Sequence, residues 1–119
     1  WQDADVVREA LTMRVPLVAI ATTRASGALP VEHSFVACEG AIVSAIKQTA
    51  TGNGVVIRVY NPTPEERRAV IRTAIPHRGV REVNLAEQHI GELASTGETI
   101  ELPMRPFQIR TVTLIMNSE

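Results

Sequence analysis

The run Val55-Val56-Ile57-Arg58-Val59-Tyr60 constrains the fold of this chain more than any other segment. It is dense in β-branched residues, whose stiff side chains suit a pleated strand better than a helix. Thr51-Gly52-Asn53-Gly54 opens it and Asn61-Pro62 closes it, and both are turn signals. A second β-rich run, residues 42–49, comes just before, so the spacing predicts a hairpin across Ala50 to Gly54 with Gly52-Asn53-Gly54 as its turn. The same preference extends along the chain: Val, Ile and Thr supply 35 of the 119 residues.

Thr99-Ile100-Glu101-Leu102-Pro103-Met104 alternates cleanly, with Ile100, Leu102 and Met104 on one face. Residues 108–115 put Val112 and Leu114 on one face and Ile109 and Ile115, after Phe107, on the other, which predicts a strand with protein on both sides. Leu17 to Thr22 and Ser34 to Glu39 are two further strand candidates, separated by the small-residue stretch Ala25 to Pro30. Phe35 and Phe107 sit among apolar neighbours and are expected in the core. Short strands punctuated by Gly and Pro predict an all-β fold, an antiparallel β-sandwich. Val6, Val7, Ala10 and Leu11 recur at helical spacing, which adds one short N-terminal helix over Asp3 to Met13. At Thr63-Pro64-Glu65-Glu66 local rules conflict: a capping Thr, Pro and Glu start a helix, while β-branched Val70, Ile71, Thr73 and Ile75 favour a returning strand. Both readings stand at this level.

One domain over residues 1–119 accommodates these elements, since a chain this long buries roughly two-thirds of its unfolded surface. The first residue is Trp1, which suggests a piece of a longer polypeptide. The best apolar run, Val15 to Ala21, falls short of the about 20 residues a membrane helix needs and contains Pro16. Twelve basic residues nearly cancel 13 acidic ones, so no net field points to nucleic acid or an anionic membrane. Single Cys38 excludes an internal disulfide and a cysteine-based zinc site, and looks like a small core hydrophobe.

Catalytic constellations are sparse. His33, His77 and His89 are scattered without metal-ligand spacing, aspartates occur only at Asp3 and Asp5, and adjacent Glu65 and Glu66 read as a solvated turn. No Gly-x-Ser-x-Gly occurs, and no Lys or helix follows Gly52-Asn53-Gly54 to make a phosphate loop. Sugar-binding sandwiches stack sugars on exposed rings. Aromatics are only 3% of this chain, which leaves Tyr60 as the candidate sugar contact.

Val55-Val56-Ile57-Arg58-Val59-Tyr60-Asn61-Pro62 resembles the strand-and-turn signature of the C-terminal β-sandwich domain of glycoside hydrolase family 38, the α-mannosidases. Other pieces follow in the family's order: Leu29-Pro30, Ser34-Phe35-Val36, Ile42 to Lys47, Glu82-Val83-Asn84-Leu85-Ala86-Glu87, and Pro106-Phe107-Gln108-Ile109-Arg110-Thr111-Val112-Thr113-Leu114. The resemblance spans about Val15 to Leu114 and implies a returning strand after Thr63. It also implies a cytoplasmic bacterial α-mannosidase of the retaining type, whose zinc and catalytic Asp lie in a catalytic domain outside this chain. No catalytic residue, metal ligand or cofactor is therefore expected here. Arg58, Tyr60, Asn61 and Pro62 become structural motif residues: Arg58 pairing with a carboxylate at a sheet edge, Asn61-Pro62 setting the turn. The expected partners are the catalytic domain of the same chain and a second subunit, with no nucleic acid and no membrane. The alternative is a stand-alone carbohydrate-binding or protein-interaction sandwich, the latter resting on the two-sided strand Phe107 to Ile115.

Overall fold

The computed structural model describes residues 5–23 and 26–116. The chain divides into two compact units, Trp1–His33 and Ser34–Glu119. The first holds the expected helix, α1 (Val6–Arg14), none of whose residues is buried. Beyond it the expected strand Leu17 to Thr22 does not form. A strand exists through hydrogen bonds to a neighbour, and no backbone pairing among the described residues uses residues 16–23.

The described residues of the second unit form an all-β sandwich of nine strands: β1 (Val36–Glu39), β2 (Ile42–Gln48), β3 (Gly54–Tyr60), β4 (Arg67–Thr73), β5 (Gly79–Val83), β6 (His89–Leu93), β7 (Ser95–Thr96), β8 (Thr99–Met104) and β9 (Ile109–Ile115). They make a four-stranded sheet, order β1-β4-β8-β7, and a five-stranded sheet, order β2-β3-β9-β5-β6. Every pairing is antiparallel.

The predicted hairpin is β2–β3, with Ile42 opposite Tyr60 and Gln48 opposite Val55. Its turn is closed by bonds between Thr49 and Gly54 and between Gly52 and Thr49, with Gly52 at φ 79°. Gly40, at φ 77°, carries the chain from β1 in one sheet to β2 in the other. A Cβ there would lie 2.0 Å from the Arg68 carbonyl oxygen, so only glycine fits.

The helix reading of Thr63 to Thr73 fails because tertiary packing overrides the local start signal. In β4, Ala69, Ile71 and Thr73 are buried while Arg68 and Arg72 are exposed, a period of two that a helix would scatter. Pro103, opposite Arg68 of β4, is tolerated within β8 because β7 pairs only with Thr99 and Ile100, leaving the other side of the strand without a neighbour at the proline.

The core is the interface of the two sheets: Ala69, Ile71, Ile100, Leu102 and Met104 from one, Ile57, Val59, Val80, Val112 and Leu114 from the other. Cys38 packs against it, and burial raises its thiol pKa. The two phenylalanines expected inside are outside, Phe35 at 51% and Phe107 at 61% exposure. Phe107 lies in the tight β8–β9 turn at φ 55°, where backbone geometry rather than apolarity sets its direction. Nor is the outer face of β9 fully covered: Ile109 is 54% exposed, whereas Val112 and Leu114 on the inner face are buried completely.

Candidate functional site

The chain crosses between sheets at one end of the sandwich, through the β3–β4 loop and the β8–β9 turn. Asn61 ties these two crossovers together. Its backbone N–H donates to the Gln108 carbonyl at 2.9 Å. Its side-chain Nδ2 donates to the carbonyls of Glu65 at 2.6 Å and Arg105 at 3.0 Å, and its Oδ1 accepts from the Thr63 N–H at 3.0 Å and hydroxyl at 2.8 Å. Both donors and both lone pairs of the amide are used, which allows a polar residue to be 1% exposed at a sheet junction. The turn is held from its own side as well, by Phe107 N–H to Thr63 carbonyl and Arg105 N–H to Gln108 Oε1.

Beside this junction lies an ion pair that the sequence did not single out. Arg110 of β9 faces the core side, opposite Val59. Its Nε and Nη2 grip the two oxygens of Glu82 in β5 at 2.7 and 2.5 Å, and its Nη1 donates to the Pro103 carbonyl of the other sheet at 3.0 Å. The side chains keep 11% and 20% of their exposure, the lowest combination among the ion pairs of the described residues. This two-pronged contact fixes orientation as well as charge. A groove of about 430 Å³ opens beside the pair, lined also by Glu66, Arg67, Arg105 and Gln108. On its other side Leu85, Ile90 and Ile109 line a smaller cleft of about 290 Å³.

The second assembly is a strap over the outer face of the five-stranded sheet. The β5–β6 loop, Asn84 to Gln88, is organised by Asn84, whose Oδ1 accepts from the N–H groups of Ala86 and Gln88 at 2.9 Å each. The Leu85 carbonyl accepts from Arg58 Nη2 at 3.5 Å, and the Glu87 carboxylate bonds both to Lys47 of β2 and, at 2.7 Å, to the Ala50 N–H in the hairpin turn. The loop thus spans β9 and β3 to reach β2. Its cover accounts for outward-facing Val56 and Thr111 being buried. The Lys47 ammonium and the Ala50 amide hold the Glu87 carboxyl below its usual range.

The structure places the motif residues in two environments. Asn61 and Pro62 belong to the crossover junction. Arg58 lies in β3, an interior strand, and not at a sheet edge. Its Nε donates to the Thr111 hydroxyl across the ladder at 3.2 Å, so the expected carboxylate pairing is replaced by a hydroxyl and a carbonyl, with Glu87 acting only through its field. Tyr60 is half-buried on the outer face between Ile42 and Ile109. Arg58 and Tyr60 share that face; Asn61 and Pro62 serve a different end.

The strand pairs just described coincide with a known domain. The model of the glycosyl hydrolases family 38 C-terminal beta sandwich domain matches residues 40–112. The chain belongs to this family. The family 38 match runs from the Gly40 turn to Val112 in β9, so it takes in the crossover junction, the Glu82–Arg110 pair and the strap. No curated protein and no solved structure matches the chain.

Within this family 38 domain, several ionisable groups are paired inside the fold. Glu82 is occupied by Arg110 and Glu87 by Lys47, while His89 Nε2 stands 4.0 Å from Glu92. The zinc implied by the family resemblance does not fit these residues. Among the described residues no cluster of three His, Cys, Asp or Glu could hold a metal ion, and no helix is long and apolar enough to cross a membrane.

Proposed function

We propose that this sandwich is a non-catalytic C-terminal domain of a cytoplasmic α-mannosidase, and that it supports the catalytic domain and the contacts between subunits. The family 38 match over residues 40–112 carries the reading. Two features of the site support it. Its partly buried carboxylates are engaged by cations in the sandwich itself, a role in which they hold strands and do not transfer protons. The crossover end also presents Phe107, Ile109, Leu85 and Ile90, each more than half exposed, beside the exposed Arg105. Aromatic, aliphatic and arginine side chains grouped in this way suit a protein–protein contact.

The zinc of such an enzyme would be held by its catalytic domain and not by this sandwich. The test is hydrolysis of an aryl α-mannoside. The 119-residue chain is expected to show no turnover with zinc or another divalent ion, while the polypeptide joining it to the catalytic domain turns the substrate over. Metal-dependent turnover by the pure chain would overturn the non-catalytic role. Failure of the whole polypeptide on α-mannosides, with cleavage of another glycoside, would overturn the substrate.

A further inference from the structure

The hairpin tip Gly52-Asn53-Gly54 carries a reactive arrangement that the sheet does not use. An asparagine followed by glycine puts its side-chain amide carbon within five-membered-ring closure of a backbone nitrogen that no side chain shields. Here the glycine is obligatory, because a Cβ on Gly54 would lie 2.6 Å from the Leu114 carbonyl oxygen. Asn53 itself is exposed.

The hydrogen bonds of the turn prepare each participant. Asn53 Oδ1 accepts from the Thr51 hydroxyl at 2.5 Å and from the Thr49 hydroxyl at 3.3 Å. Two donors on that oxygen draw charge from the amide carbon and stabilise the oxyanion that forms when the carbon is attacked. Nδ2, the leaving nitrogen, makes no hydrogen bond among the described residues. Gly54 offers its carbonyl to the Thr49 N–H at 2.9 Å, but the Thr49 carbonyl accepts from Gly52 at 3.0 Å and not from Gly54. The attacking nitrogen is thus left out of the pairing that closes the turn. Two other asparagines lack the combination. Asn61 precedes Pro62, whose nitrogen carries no proton. Asn84 precedes Leu85, whose side chain crowds the approach, and its Nδ2 is held by Gln88 Oε1 at 2.8 Å.

We propose that Asn53 is a site of spontaneous deamidation in the folded chain. The Gly54 nitrogen bonds to the Asn53 side-chain carbon, its proton leaves with Nδ2 as ammonia, and a cyclic imide remains. Water then opens the imide at either carbonyl, which leaves aspartate or isoaspartate at position 53; nothing is oxidised or reduced. Aspartate keeps the contacts of the turn, because the side chain acts there only as an acceptor. Isoaspartate adds a carbon to the main chain inside the turn whose Ala50 N–H anchors the Glu87 carboxylate at 2.7 Å, and so detaches the strap.

Peptide mapping by mass spectrometry tests this on the 119-residue chain held at mildly alkaline pH. It follows the amide-to-acid mass gain at position 53 and separates it from any at Asn117. The rate in the folded chain is expected to match or exceed the rate in the same chain unfolded by urea. Thr51→Val, at an exposed turn position, should slow the folded chain about tenfold, the effect of one ordinary hydrogen bond lost from the transition state. Asn53→Asp should show no mass gain at position 53 and keep the exchange protection of residues 84–88, whereas aged chains rich in isoaspartate should lose that protection. A folded chain that deamidates more slowly than the unfolded one would overturn the proposal, since the turn would then shield the amide. A Thr51→Val rate within about twofold of the parent rate would overturn it as well, by removing the hydroxyl from the reaction.

Discussion

Asn61 shows how one side chain fixes the closure of a sandwich. Five hydrogen bonds from this residue, four through the side chain, join loops that leave from and return to different sheets. Aspartate is close in shape but cannot donate where the amide meets the Glu65 and Arg105 carbonyls. Asn61→Ala should cost about 2–4 kcal/mol, because it leaves two carbonyls and the Thr63 groups without partners at a buried site. Asn61→Asp should be at least as harmful at pH 7, where a carboxylate would face two carbonyl oxygens out of water. Urea unfolding followed by circular dichroism measures both; a loss under about 0.5 kcal/mol for the alanine variant would mean that water replaces the amide. The Arg110–Glu82 pair is built on the same logic, since each partner leaves the other charged and half enclosed if removed.

At the scale of elements, the strap is the clearest case of a loop acting as cover. Glu87 adopts φ 63°, an uncommon conformation for a side-chain-bearing residue, and its carboxylate reaches both Lys47 and the hairpin turn. Its pKa is lowered from the usual 4.5, first by the hydrogen bond from Lys47, then by the Ala50 N–H. A carboxylate depressed on folding stabilises fully above its unfolded pKa and loses that contribution as pH falls through the lower folded value. Exchange protection in residues 84–88 should therefore hold from pH 7 down to about 4.5 and decline only below it, while Glu87→Gln should weaken the strap already at pH 7 and remove the step. An NMR titration of the Glu87 side chain checks the sign; a midpoint above 4.5 would contradict it.

Much of this element level was readable in advance, for a physical reason. The β2–β3 hairpin and β8 announce themselves by local turn chemistry and strict alternation, both properties of neighbours in sequence. The strap is different: Lys47 and Glu87 are 40 residues apart, and nothing local marks their meeting. Arg110 and Glu82 escaped notice likewise, because an arginine in a strand reads as outward-facing until its carboxylate is placed. β5 and β6 are short and carry charges, Arg81 and Glu82 on the first and Glu92 on the second, which blurs their alternation. Phe107 misled by apolarity, since the left-handed turn position and not the hydrophobic pattern decides where its ring goes. The segment from Leu17 to Thr22 has a strand's composition but forms none, because no backbone partner among the described residues pairs with it.

Across the whole molecule, the buried core comes entirely from strands β3, β4, β5, β8 and β9, between Ile57 and Leu114. β1 and β2 bring partly buried Val36, Cys38 and Val43 to its margin. The unit Trp1–His33 gives no buried residue among those described. Stability follows apolar area removed from water, at about 25 cal/mol per Å², so it should reside almost wholly in Ser34–Glu119. A chain beginning at Ser34 keeps the Phe35 carbonyl that accepts from the Ala74 N–H, and with it the start of β1. It is expected to unfold in one cooperative step, with a Tm within about 3 °C of the 119-residue chain and an m value lower only by the small area of the missing unit. Calorimetry of the two chains side by side decides the matter. A fall of 10 °C or more would mean that residues 1–33 stabilise the sandwich.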